Sequence, residues 1–151
     1  LGTREAVGHD DQGAPDWPLH CTGSISHSSH DACAMVAHCE ASAGIGIDTE
    51  GVVDANVARE IGLVCCTPCE RARWLDAAPQ PELVATLIFS AKECLYKALA
   101  PWLRRFVDFD EAETLSLDLR HRVLRIGARP GSPLSGLVEP VDVHFGVQDR
   151  R

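Results

Sequence analysis

The sequence predicts an α+β domain with mostly antiparallel sheet, and three observations carry that expectation. Short apolar runs bounded by turn residues fill the stretch before Gly51, helical patterns run from Asp54 to Ala100, and short alternating runs return from Phe106 to Val147. Strands gathered at the two ends, with helices between them, fit α+β better than the regular strand–helix alternation of a parallel sheet. A length of 151 residues suits one domain with a real core.

Residues 1–18 are polar and irregular and close on Gly13-Ala14-Pro15-Asp16-Trp17-Pro18, where the prolines favour an extended or turning path and Trp17 is placed to anchor it to the core. Gly23 to Ser28 reads as a short extended segment with a turn at Ser28-Ser29-His30-Asp31. Ala32 to Ala37 reads as a buried strand and Ile45 to Asp48 as the next, and the short polar linkers suggest an antiparallel meander. Asp54 can cap a helix through about Val64. Thr67, Pro68 and Glu70 then stand as N-cap, first and third residues of another, through about Ala77. Pro79 and Pro81 separate it from a long helix starting near Glu82, whose Leu83, Leu87, Ile88, Leu95 and Leu99 recur as one buried face requires. Pro101 ends or kinks that helix. Phe106 to Phe109, Thr114 to Leu119 and Val123 to Ile126 read as strands with a turn near Arg120-His121. Gly127 to Pro140 is a loop, Val141 to Val147 is a last strand, and no internal repeat is visible.

With 14 basic and 22 acidic residues the net charge is −8, which argues against nucleic acid as the main partner. No uninterrupted apolar run is long enough for a membrane span, and nothing after Leu1 has the basic and apolar regions of a signal peptide. The sequence therefore reads as cytoplasmic. Seven cysteines follow no disulfide-scaffold spacing. Cys66-Thr67-Pro68-Cys69 matches a redox pattern, although the same residues make a helix start and no strand pattern precedes them. His27, His30 and His38 do not stand with cysteine at a zinc-finger spacing.

Two motifs carry chemistry. Gly46-Ile47-Asp48-Thr49-Glu50 puts two carboxylates at i and i+2, on the same side of an extended segment. Such a pair repels itself unless a cation or a shared proton offsets the charge, and its oxygens suit Mg²⁺, which takes one or two carboxylates and completes its shell on phosphates. A solvated strand end entering a turn at Gly51 would account for the pentapeptide equally well. In Phe89-Ser90-Ala91-Lys92-Glu93-Cys94-Leu95-Tyr96-Lys97-Ala98, Glu93 and Lys97 lie one helical turn apart. A surface ion pair worth about 0.2–0.5 kcal/mol explains that pair alone. Asp48, Glu50, Glu93 and Lys97 together read as three oxygen ligands plus a general acid or phosphate-binding cation. Gly23-Ser24-Ile25-Ser26-His27 can offer hydroxyls, N–H groups and an imidazole to a phosphate, or form an ordinary edge strand.

These blocks carry a resemblance. Trp17-Pro18 with Gly23-Ser24-Ile25-Ser26-His27, then Gly46 to Glu50, then Phe89 to Ala98 stand in the order and spacing of the 4'-phosphopantetheinyl transferases, and the chain resembles the bacterial siderophore-synthetase type. Phe106-Val107-Asp108-Phe109-Asp110-Glu111-Ala112-Glu113 is also similar to that group. The resemblance implies a Mg²⁺-dependent enzyme that moves the 4'-phosphopantetheine arm of coenzyme A onto a serine of an acyl or peptidyl carrier protein and releases adenosine 3',5'-bisphosphate. By the same match Asp48, Glu50 and Glu93 hold Mg²⁺, and Glu93 is the base for the serine, directly or through water. Lys97 neutralises or protonates the leaving phosphate. Ser26 and His27 touch the nucleotide phosphates with Lys92 near the same moiety, and Lys97 joins them as a residue that binds coenzyme A.

The implied fold is a pseudo-dimer of two similar halves, mostly antiparallel sheets packed with helices. On that scheme residues 1–45 are the end of an incomplete first half, and 46–151 are the second half carrying the metal and catalytic motifs, stopping before a usual final strand. The chain departs from the family in having Gln12, Gly13 and Ala14 where a basic residue is usual, and His20 where Gly is common. Arg71, Arg73, Arg104 and Arg105 are candidates for a patch that meets an acidic carrier, or simply solvated helix faces. Two other readings stay open: a non-catalytic remnant that binds coenzyme A or a carrier protein, and a thiol oxidoreductase using Cys66 and Cys69.

Overall fold

A computed structural model describes residues 6–10, 13–103 and 105–148 of the chain. It is α+β, with every strand pair antiparallel, as expected from the element order. β1 (Gly8–His9) pairs with β2 (Pro15–Asp16), and β3 (Cys21–His27) forms a hairpin with β4 (Ala32–His38) in register from Cys21 opposite His38 to His27 opposite Ala32. Ser28 closes that hairpin, its hydroxyl accepting from the N–H groups of His30 and Asp31. Three helices follow among the described residues. α1 (Ala55–Val64) is capped by Asp54, whose carboxylate accepts from the N–H groups of Asn56 and Val57. α2 (Pro68–Glu70) begins with the reciprocal Thr67–Glu70 cap that the sequence predicts, then runs on as a π-helical turn, Arg71–Leu75. α3 (Pro81–Leu103) carries Pro101 in its last turn. The chain finishes in a sheet of order β5–β6–β7, made of β5 (Ala112–Asp118), β6 (Val123–Ala128) and β7 (Val141–His144).

The hydrophobic core lies between α1, α3 and this last sheet. Ala58, Ile61, Ile88, Leu95, Leu124 and Ile126 belong to it, and no residue of the β3–β4 hairpin does. The hairpin meets the rest through small polar side chains instead, because Thr22, Ser24 and Ser26 alternate onto one buried face of β3. Trp17 anchors the N-terminal path onto β3 rather than onto the core, its indole lying where any side chain on Gly23 would stand.

Three further sequence expectations need correction. Ala32 to Ala37 is a strand but an exposed one, with Met35 at 53% exposure, since it forms the outer member of a two-stranded sheet. Ile45 to Asp48 joins no sheet. Its backbone presses against α3, and a Cβ on Gly44 or Gly46 would fall 2.2 Å from the Ala98 carbonyl oxygen or 1.7 Å from that of Cys94. Main chain packed that closely on a helix leaves no room for a strand between them. Phe106 to Phe109 is not a strand either. It leads into a 3₁₀ turn, Phe109–Glu111, because the Glu111 carboxylate turns back to accept from the Asp108 N–H. Among the described residues no helix is long and apolar enough to cross a membrane.

Candidate active site

The site begins with two hydroxyls on β3. Ser24 Oγ accepts from the Ile47 N–H at 3.1 Å, and Ser26 Oγ accepts from the Thr49 N–H at 3.1 Å. Side chains two apart on a strand thus hold backbone groups two apart on the neighbouring extended segment, replacing the main-chain ladder of a sheet. Gly46 lets that segment settle on α3, and Asp48 arrives beside the helix turn that carries Glu93 and Lys97. Ser26, His27, Asp48, Glu50, Glu93 and Lys97 line one cleft of about 290 Å³, with Ile25 and Phe89 as its apolar wall.

Charge in the cleft is unbalanced. Burial raises the Glu50 carboxyl, with Asp48 adding to the rise and Lys97 opposing it. Glu93 is also raised, first by burial and then by Asp48 and Glu50, against the pull of Lys97. The Asp48 side chain is almost fully buried: its Oδ1 accepts from Lys97 Nζ at 2.7 Å and from the Ser26 hydroxyl at 3.0 Å, while its Oδ2 is buried with no partner. Among the described residues no three acidic, histidine or cysteine side chains are drawn together enough to cage a metal by themselves. An orphaned carboxylate oxygen sharing a cleft with two further carboxyls still fits a hard cation that takes part of its shell from phosphate and water.

Not every predicted site residue behaves as expected. Lys97 pairs with Asp48 across the cleft rather than with Glu93 on its own helix, and it also donates to the Ile47 carbonyl at 3.2 Å and to Ser26 Oγ at 3.3 Å. Ser26 is buried and its hydroxyl is spent on Asp48, Thr49 and Lys97, so it orders the acidic segment. His27 stands exposed at the rim. Lys92 is not at the cleft. It is fully buried and donates to the Cys65 carbonyl, Glu70 Oε2 and the Phe109 carbonyl at 2.7–2.8 Å, which uses all three of its protons in the core. Glu70 completes this node by accepting from the N–H groups of Thr67 and Thr114.

Ser24 was not singled out by the sequence, although its position two before Ser26 places it on the same face. Cys66 is buried, with its thiol pushed up to about 12 by burial and then by Glu70, whereas Cys69 is exposed. That is the wrong environment for a reactive thiolate, which needs electropositive surroundings. Arg105 is committed to Glu111 through two 2.7 Å bonds, Arg73 stacks on Trp74, and Arg104 lies outside the described residues.

Comparison with known proteins places this sequence in a family. The sequence model of the 4'-phosphopantetheinyl transferase superfamily matches residues 44–147, and that of the 4'-phosphopantetheinyl transferase N-terminal domain matches residues 1–37. The chain is 36% identical over 109 residues to the 4'-phosphopantetheinyl transferase Npt of Nocardia iowensis, covering 71% of this chain and 47% of that protein. It is 33% identical over 127 residues to enterobactin synthase component D of Salmonella typhi, covering 83% of this chain and 52% of that one. Against enterobactin synthase component D of Escherichia coli K12 the identity is 40% over 84 residues, covering 56% of this chain and 39% of that one. The chain spans about half the length, or less, of these relatives. With matches over most of its length and both motifs meeting in one cleft, the chain belongs to the 4'-phosphopantetheinyl transferase superfamily.

Proposed function

We propose that this protein transfers the 4'-phosphopantetheine arm of coenzyme A to a serine of an acyl or peptidyl carrier protein. The observation that carries the reading is the meeting of Asp48, Glu50, Glu93 and Lys97, from two separated motifs, in a single cleft. In the reaction a new bond forms between the serine oxygen and the pantetheine-side phosphorus, the pyrophosphate bond breaks, and adenosine 3',5'-bisphosphate leaves. The serine hydroxyl is a poor nucleophile and gives its proton to a base. Glu93, which lines the cleft beside Lys97, is placed to take it, directly or through a water. Lys97 offers the positive charge that the departing phosphate needs.

Asp48, Glu50 and Glu93 would hold Mg²⁺, and the buried, unpartnered Oδ2 of Asp48 is the atom that most needs such a partner. When bound, the ion neutralises charge on the pyrophosphate. Ser24, Ser26 and Gly46 keep the acidic segment in place, and His27 at the rim is free to meet a nucleotide phosphate. Lys92 takes no part in binding. We place the boundary between the family's two halves at residues 45 and 46, a division supported by the separate matches to 1–37 and 44–147.

The test is mass spectrometry of an apo carrier protein incubated with coenzyme A, Mg²⁺ and this protein. Gain of the phosphopantetheine mass on the carrier serine, abolished by Asp48→Ala and by Glu93→Ala, is the expected result. No gain at high protein concentration, or wild-type rates in either variant, overturns the reading.

A further inference from the structure

Lys97 stands in a nest of oxygens. Its ammonium is 2.7 Å from Asp48 Oδ1, 3.2 Å from the Ile47 carbonyl oxygen and 3.3 Å from Ser26 Oγ, so each of its three protons has a protein acceptor. A carboxylate, a backbone carbonyl and a hydroxyl are also the donor set that a hard metal cation takes. Asp48, whose side chain is only 3% exposed, is shared between this ammonium and the rest of the cleft, since its other oxygen is buried and unpartnered.

We propose that Lys97 and a divalent cation are antagonists on Asp48: binding of one weakens the hold of the other, so that metal arrival releases the lysine toward the substrate phosphate. The inference rests on the metal reading above. Two positive centres on one buried carboxylate repel across a few ångströms, and at that range the penalty exceeds a tenfold change in binding constant. A metal ion also draws charge from the carboxylate and so loosens its bond to the ammonium. The lysine has somewhere to go, because its side chain is 29% exposed and the residue lines the open cleft. By linkage the effect is reciprocal, and whatever removes Lys97 from Asp48 tightens the metal. The consequence for transfer is an order of events, in which the cation that neutralises the leaving group charge is seated before the ammonium becomes available to it.

The chain makes this testable because Lys92 and Lys97 are its only lysines, and Lys92 is sealed in the core by three acceptors. Acylation with N-hydroxysulfosuccinimidyl acetate, read by peptide mass spectrometry, therefore reports Lys97 against an internal control. In the wild-type chain, Mg²⁺ titration is expected to raise the labelling rate of Lys97 several-fold while Lys92 stays unlabelled. Calorimetric titration with Mg²⁺ alone is expected to show binding tightened by about tenfold or more in Lys97→Met, with wild-type affinity kept in Lys97→Arg. Labelling of Lys97 that ignores Mg²⁺, or Lys97→Met binding no tighter than wild type, overturns the exchange while leaving the metal site standing. Failure of the wild-type chain and Lys97→Met alike to bind Mg²⁺ sinks the metal reading beneath it.

Discussion

Replacing Gly46 by alanine tests the architecture of the site most directly. The added Cβ would lie 1.7 Å from the carbonyl oxygen of Cys94, 2.5 Å from its carbonyl carbon and 3.0 Å from its Cα. All three atoms are main chain of α3, so no side-chain rotation relieves the clash. To restore a contact of 3.0 Å the segment must retreat by roughly 1.3 Å, which is more than its hydrogen bonds tolerate. The bonds at risk are Ile47 N–H to Ser24 Oγ at 3.1 Å, Thr49 N–H to Ser26 Oγ at 3.1 Å, and Lys97 Nζ to the Ile47 carbonyl at 3.2 Å. At about 1 kcal/mol each, their loss destabilises the protein by about 3 kcal/mol. Asp48 lies two residues on and moves with the segment, and a displacement of about 1 Å in a catalytic site costs on the order of 100-fold in rate. Urea unfolding measures the first quantity and the transfer rate to an apo carrier protein the second. Gly51→Ala is the control, because a Cβ there meets nothing within 4 Å. A Gly46→Ala variant with an unshifted unfolding midpoint and a rate within about twofold of wild type would refute the argument that close backbone packing positions the acids.

Other consequences can be checked separately. Lys92→Ala leaves Glu70 buried and uncompensated, so it is expected to lose about 3–5 kcal/mol in denaturant unfolding, and a loss below about 1 kcal/mol would show that the buried node is not structural. His20 adopts a left-handed backbone with φ of +66°. His20→Gly removes that strain of about 1–2 kcal/mol against an entropic cost of about 0.5–1 kcal/mol, so calorimetry should show a slightly higher melting temperature, not a lower one. Glu111 is held below its ordinary value of 4.5, chiefly by its hydrogen bond with Arg105. Because its folded pKa is depressed, the pair contributes stability above pH 4.5 that is lost as pH falls through the folded value. The melting-temperature gap between wild type and Glu111→Gln should therefore be widest near neutral pH and close in acid. A gap that stays constant down to about pH 3 would contradict it.

Structure is legible in this sequence where close neighbours along the chain decide it. Asp54 and the Thr67-Pro68-Cys69-Glu70 cap announce their helices because the bonds they make are local, and the periodicity of Leu83 to Leu99 marks α3 for the same reason. The spacing of Asp48 and Glu50, and of Glu93 and Lys97, likewise identified the acids and the ammonium that share the cleft. Partners distant in sequence were not legible. Lys92 and Lys97 are identical side chains five residues apart on one helix, hence about 140° apart around its axis. Only the packing of α3 sends the first into the core, against Glu70, and the second across the cleft to Asp48. The same holds for Gly44 to Asp48, where an apolar extended run could have joined a sheet. Backbone hydrogen bonds are available to any strand, and it took the hydroxyls of β3 on one side and the bare main chain of α3 on the other to settle that this segment is held by side chains instead.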